Sequence, residues 1–319
     1  MEPNGSKYIA GVDIGGTFTD CVVLEETGRI TIGKALSTPD DFAQGAIDAI
    51  EDAALNLGLA SAAEILRDTR LFFHACTIGD NTLITRAGAK TGLITTKGFA
   101  DTMLMMRGRI TDGLTEAEAD HLAALTKPEP LVPRHLTEEV LERIDYKGAV
   151  IMPLEPAEAA AAVKKLVAQG VESVAVCLLW SIMNDAHENV FTEIIQQNFP
   201  ALFFTLSKEV APFVGEYERT STTVFNAYIG PKISAYLTNL SRVLKSKGLA
   251  RDPLIMSMIA VPLLSPSEIL GLPSKSAMSN WEIAFVPASI PREPVLNRKS
   301  PFGLSTKLGL AEMLPFALV

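Results

Sequence analysis

Apolar positions cluster first in short runs. Tyr8–Ile14 is one such run, broken by Gly15-Gly16; residues 21–24 form a second and Ile30–Leu36 a third. This order predicts strand, glycine turn, strand, strand. Asp40 or Asp41 then stands where a helix N-cap belongs. After it Phe42, Ala46, Ile47, Ile50, Ala53, Ala54 and Leu57 recur at helical spacing until Gly58. Residues 71–73 and 92–94 read as further short strands, with a helix over 78–86 between them. Residues 107–133 are polar, irregular and proline-bearing, the pattern of a loop-rich insertion. Residues 156–169 predict an alanine-rich helix stopped by Gly170. Residues 174–180 predict a buried strand. Asp185 stands as the cap of a helix running to Phe199, and residues 217–247 predict a helix interrupted at Gly230-Pro231. Strands alternating with helices define an α/β chain.

Length and charge narrow the function. The chain has 319 residues, 48% of them hydrophobic, enough for a sizeable core and for two domains. A formal net charge of −9 disfavours broad contact with nucleic acid or an anionic membrane. No apolar run is long enough to span a bilayer, and the first residues lack a basic segment followed by an apolar one, so no signal peptide is expected. Cys21, Cys76 and Cys177 lie far apart in no metal-like spacing and read as reduced, largely buried thiols. Together these features predict a cytoplasmic protein.

The segment with the most chemistry is residues 11–20, Gly-Val-Asp-Ile-Gly-Gly-Thr-Phe-Thr-Asp. It is neither a Walker A loop, since no Gly-Lys-Ser/Thr follows, nor a dinucleotide fingerprint, since the glycine spacing differs and a strand follows. Adjacent glycines let a backbone turn sharply, adopt positive φ and approach an anion. Their amides, with the Thr17 and Thr19 hydroxyls, suit phosphate oxygens. Asp13, at the end of a buried strand, suits Mg²⁺ held through water. The plain alternative is a β-hairpin whose glycines serve only the turn.

This segment resembles the phosphate hairpin of the actin, Hsp70 and sugar-kinase superfamily. The wording VDIGGTFTD resembles, more narrowly, the A-type subunit of the hydantoinase/oxoprolinase family. Residues 74–83 (HACTIGDNTL), 90–99 (KTGLITTKGF) and 216–228 (EYERTSTTVFNAY) match further family segments, as do 128–133 and 174–179; the likeness runs from about residue 8 to about residue 256. Residues 79–99 and 105–109 are closest in wording to acetophenone-carboxylase-like subunits.

The resemblance implies an α/β, actin/Hsp70/sugar-kinase-like (ribonuclease-H-like) nucleotide-binding domain, incomplete here. It implies ATP and Mg²⁺ as cofactors, with Gly15, Gly16, Thr17 and Thr19 cradling phosphate and Asp13 orienting the hydrated metal. It further implies phosphorylation of a carbonyl oxygen of a small cyclic amide or ketone, for hydrolysis or carboxylation, and a B-type partner subunit that completes the reaction. Two other readings stay open: a sugar-kinase-like phosphotransferase, and an inactive fragment that only binds a partner.

Other residues carry paired readings. His74 suits proton transfer at a cleft or a satisfied structural role. Asp80 and Asn81 suit substrate or Mg²⁺, or simple helix capping. Arg107 and Arg109 suit a carboxylate or phosphate clamp, or a solvated loop. His121, His135 and His187 read as solvated, and Glu216, Glu218 and Arg219 as ion pairs along one helix. After Met256 the family pattern ends without its glycine-rich second phosphate segment, and residues 251–319 hold nine of the 19 prolines. The expected organisation is therefore 1–205, an amino-terminal family domain; 206–256, the start of a second; and 257–319, a poorly patterned tail of a truncated or frame-shifted chain.

Overall fold

The computed structural model describes residues 7–39, 41–106, 115–120 and 129–256. The expected tail over 257–319, Arg107, Arg109, His121 and much of the expected insertion lie outside the described residues.

The first strands form as their alternation dictates. β1 (Tyr8–Ile14), β2 (Phe18–Glu25) and β3 (Ile30–Leu36) make an antiparallel meander. β4 (Thr69–Cys76) and β11 (Leu254–Met256) extend it in parallel, giving the order β11-β4-β1-β2-β3. One face is covered by α1 (Phe42–Leu57). Asp41 caps this helix, its side chain accepting from the Ala43 amide, and Gly58 ends it in the left-handed region. Ala43, Ala46, Ala49 and Ala53 are buried on the inner face, and their small size lets the helix lie close to the sheet. The closest approach is at Gly33 of β3, where an added Cβ would sit 2.2 Å from the Ala49 carbonyl oxygen and 2.4 Å from the Ala53 nitrogen. Gly33→Ala must push helix and strand apart, so it should destabilise the chain by about 1–3 kcal/mol. A urea midpoint equal to that of the wild type would refute this.

A second sheet has the order β10-β9-β5-β6, all parallel: β5 (Thr91–Thr96), β6 (Thr137–Val140), β9 (Ser173–Cys177) and β10 (Phe203–Leu206). β5 and β9 are buried along their whole length, as strands covered on both faces must be. α6 (Pro156–Ala168) and α7 (Ala186–Asn198) contribute to this core. The meander joined to parallel strands, followed by a second sheet, makes this an actin- and sugar-kinase-like α/β nucleotide-binding fold.

The long helix α9 (Glu216–Ser246) joins the two cores. Val224 and Ala227 belong to the second core, and Tyr236, Leu237, Leu240 and Leu244 to the first. The expected interruption at Gly230-Pro231 does not occur. Packing on both sides of Pro231 holds the helix together, and the Tyr228 carbonyl, three residues earlier, accepts from the Ala89 amide outside the helix at 2.9 Å. Gly230 serves close packing, since an added Cβ would meet the Phe203 ring at 2.4 Å. The boundary expected at 205/206 falls inside β10.

Three further expectations are corrected. The strand over 174–180 ends at Cys177; Leu178 and Leu179 are apolar because they are buried, not because they pair. Asp185 stands at the start of α7 but its carboxylate bonds Lys208 Nζ at 2.8 Å rather than capping the helix. His187 is not solvated: it is buried on the inner side of α7, with Nδ1 2.7 Å from Glu142 Oε2.

Candidate functional site

The glycine turn is held from behind. β1 and β2 pair up to Ile14 opposite Thr19, and the Gly15 amide donates to the Phe18 carbonyl at 3.0 Å. Ser37, just after β3, braces the loop twice: its hydroxyl donates to the Gly15 carbonyl at 2.8 Å and its amide to the Thr17 carbonyl at 2.9 Å. The carbonyl oxygens are thereby drawn back. The amides of Gly16 and Thr17 donate to nothing among the described residues, and both residues are exposed. Unspent amides on an exposed, braced turn form an anion cradle.

Neither Gly15 nor Gly16 has positive φ, so the expected left-handed backbone is absent. Glycine at 15 relieves crowding, because an added Cβ would stand 3.0 Å from the Phe18 carbonyl oxygen. At Gly16 the nearest atom to an added Cβ would be Asn81 Nδ2 at 3.7 Å, an ordinary contact. No neighbour among the described residues therefore demands a glycine at 16, whereas an anion seated against the turn would.

The opposite side of this space comes from α3 (Ile78–Ile84). The Thr77 amide donates to the Ile14 carbonyl at 3.3 Å, fixing the start of α3 beside the end of β1. Asn81 is exposed and bonds Thr77 Oγ1 at 3.3 Å. Asp80 is half-buried, and that burial raises its carboxyl pKa. Asp13 is exposed although Val12 and Ile14 beside it are buried. The Cys76 thiol is pushed up to about 11, first by burial and then by the charges of Asp13 and Asp80, so both carboxylates lie within reach of one sulfur. Asp13, Gly16, Thr17, Asp80 and Asn81 thus share one corner at the carboxyl ends of β1 and β4.

Two expected members lie elsewhere. Thr19 has the same parity along β2 as Cys21 and Val23, so its side chain turns into the core under α1; it is fully buried and bonds Ser37 Oγ at 3.0 Å. It supports the turn and offers no hydroxyl to a phosphate. His74 is fully buried, with Nδ1 3.2 Å from the Val12 carbonyl and Nε2 2.7 Å from the Tyr236 hydroxyl. Its pKa is lowered to about 4 by burial, against a smaller opposing effect of the Val12 hydrogen bond. A neutral imidazole with both nitrogens engaged favours the structural reading of this residue. Arg219 is likewise buried and donates to Ser181 Oγ at 2.8 Å and the Leu178 carbonyl at 2.5 Å, rather than pairing along its helix.

The group implied at this corner is ATP with Mg²⁺. The fit is good on the protein's side: an exposed glycine that a Cβ would fill, two unspent amides, the Thr17 hydroxyl, and carboxylates nearby. Among the described residues no group of three His, Cys, Asp or Glu side chains is arranged to hold a metal ion. Ser37, which sequence reasoning missed, is the brace; its only signal is its place directly after the third strand.

Residues 9–199 match the family described as the hydantoinase/oxoprolinase N-terminal region. The chain is 38% identical over 224 residues to the acetophenone carboxylase gamma subunit of Aromatoleum aromaticum, covering 68% of this chain and 30% of that protein. It is 34% identical over 249 residues to the caprolactamase alpha subunit of Pseudomonas jessenii, covering 77% and 34%. The nucleotide-free structure of acetone carboxylase, an ATP-dependent enzyme, superimposes with a TM-score of 0.72 at 31% identity, over 78% of this chain and 36% of that one. The chain spans about a third of the length of these relatives. Among the described residues no helix is long and apolar enough to cross a membrane.

Proposed function

This chain belongs to the hydantoinase/oxoprolinase family, and from that premise we propose that it forms part of the nucleotide site of an ATP-dependent subunit acting on a small cyclic amide or ketone. Bound ATP supplies the phosphoryl group that turns an unreactive carbonyl oxygen into a better leaving group. The protein's part in such chemistry is mostly positioning and charge stabilisation. Gly16 and Thr17 donate amides to phosphate oxygens, the Thr17 hydroxyl adds a donor, and Ser37 keeps the turn rigid. Asp13 holds hydrated Mg²⁺, with Asp80 and Asn81 on the facing helix orienting the reacting end of the ligand. A B-type subunit completes the reaction. The relatives are themselves enzyme subunits, a gamma subunit and an alpha subunit, which supports the partner. The family match favours this reading over a sugar kinase.

The observation that carries the proposal is Gly16: exposed, outside the left-handed region, with an unspent amide and no neighbour that requires glycine. Gly16→Val places a branched side chain where the phosphate must approach, at a backbone conformation valine tolerates. It should weaken MgATP binding by about tenfold to a hundredfold, the loss of one or two charge-assisted bonds of about 1.5–3 kcal/mol in total. Asp13→Ala should weaken binding in the presence of Mg²⁺ and leave Mg²⁺-free binding unchanged. Isothermal titration of wild type and both variants decides it. Equal affinities for all three proteins would remove the hairpin from the nucleotide site.

A further inference from the structure

The first sheet is apolar on both faces. Val12, Cys21 and Gly33 point inward, on the side of α1, and the helix residues of the first core lie on that side. The alternate residues form the opposite face. One row across it, in register, holds Leu71 of β4, Ile9 of β1, Leu24 of β2 and Ile30 of β3. The next row, two residues along, holds Phe73, Gly11, Val22 and Ile32. Ile30 is 62% exposed, Ile32 60% and Val22 43%. Strands that are apolar on both faces are built to be covered on both.

The cover comes onto the face and not onto the edge. On the free edge of β3 the Ile32 carbonyl accepts from Asn56 Nδ2 at 3.0 Å, and the Lys34 amide donates to Asp52 Oδ2 at 2.9 Å. Side chains of α1 therefore occupy the middle of that edge, where an added strand would have to pair.

The face is complementary to itself. A two-fold axis lying along β2, between two such faces, sets β3 of one copy over β1 of the other and keeps each row level. Exposed Ile32 then stands over Gly11 of the second copy. Gly11 leaves a hollow there, since an added Cβ would touch only Phe73, at 3.6 Å. Ile30 stands over Ile9, and Val22 meets its own mate. One row further, Lys34 stands over Asp13, a cation over a carboxylate. Asp20, on the axis, is already neutralised by Lys34 of its own chain at 2.7 Å. The two apolar rows carry no charge, so the chain's net charge of −9 does not oppose contact there.

We propose that this face is the contact surface for a second copy of this chain, packed sheet on sheet about a two-fold axis along β2. The contact goes beyond the nucleotide reading and rests on the sheet alone. Strand spacing and rise give β1 to β3 a plan area of about 15 Å by about 25 Å, so two copies cover about 750 Å² together. That is small for a permanent dimer and suits a reversible one.

The test is sedimentation equilibrium of the full chain without nucleotide, with folding of each variant checked by urea unfolding. The wild type should show a monomer–dimer equilibrium with a dissociation constant in the micromolar range. Ile32→Lys should weaken pairing at least about tenfold, because it buries a charge without a partner. Ile30→Glu is the second variant should the first fail to fold. Carbene footprinting of the wild type needs no variant, and labelling of residues 30–32 should fall as concentration rises. Leu55→Lys, 69% exposed on α1, and Ile151→Lys, 64% exposed on β8 (Val150–Met152), should pair as the wild type does. Gly16→Val should do the same, so a failure of the nucleotide reading stays separate from a failure here. A monomer at every concentration, assemblies that do not close at two copies, or labelling of residues 30–32 independent of concentration would each overturn the proposal. So would pairing unchanged in folded Ile32→Lys or Ile30→Glu, or pairing lost equally in Leu55→Lys or Ile151→Lys.

Discussion

Acidification from pH 6.5 to pH 4 should remove about 3 kcal/mol of stability through His74 alone, because its pKa falls from 6.5 to about 4 on folding. The sign follows from the linkage. The folded pKa is depressed, so the unfolded chain takes up a proton first as pH falls. The contribution is complete above about 6.5, declines below it, and is gone near 4. The cause is structural. Nδ1 faces the Val12 carbonyl and so carries the ring proton, which leaves Nε2 to accept from the Tyr236 hydroxyl. A second ring proton would displace the Tyr236 proton from its acceptor and place a charge in the first core. Both groups are buried, between the β1–β4 sheet and α9. Urea unfolding at stepped pH should show the decline in the wild type and a flatter profile in His74→Asn, which keeps a donor toward Val12, and in His74→Gln. Both variants should be less stable than wild type at neutral pH by about 1–3 kcal/mol, the cost of a buried polar partner lost. Parallel profiles for all three proteins would show that His74 is not the source.

Much of the first sheet is legible in the chain because local rules and tertiary packing agree there. The apolar runs of β1 to β3 and the helical spacing of α1 are read correctly, as is Gly58 at the end of that helix, and of the two cap candidates it is Asp41 that caps it. The corner proposed for the nucleotide is partly legible: Asp13, Gly16, Thr17, Asp80 and Asn81 gather there. Thr19 was open to correction from sequence alone, since its parity with Cys21 and Val23 places it inward. Other misreadings depend on distant contacts. His187 and Arg219 look like surface residues because their partners, Glu142 and Leu178, are 45 and 41 positions away. Pro231 looks like a break because the packing that carries α9 past it comes from both cores.

Replacing Glu142 should cause the largest loss of stability, about 3–5 kcal/mol for Glu142→Leu, since it strands two buried donors, the His187 ring N–H and the Thr96 hydroxyl, at about 1–3 kcal/mol each. Glu142 lies between β6 and β7 (Arg143–Ile144) and is only 2% exposed. One carboxylate oxygen accepts from the Thr96 hydroxyl at the end of β5, and the other meets His187 Nδ1 at 2.7 Å on α7. His187 Nε2 accepts from the Leu154 amide at 3.4 Å, so the proton on this ring sits on Nδ1 and points at the carboxylate. Thr96 Oγ1 in turn accepts from the Leu179 amide at 3.0 Å, just past β9. One acid thus ties together β5, α7 and the loop after β9. Glu142→Gln keeps the shape and one acceptor but presents an amide donor to Thr96, whose own proton then lacks its partner; it should cost about 1–3 kcal/mol. The double variant Glu142→Leu/His187→Leu removes both polar partners and should recover part of the loss, giving a coupling energy of about 1–3 kcal/mol in a double-mutant cycle. If Glu142→Leu lowers the unfolding free energy by less than about 1 kcal/mol, the net worth of a typical single hydrogen bond, the buried pair is not what holds this end of the second sheet.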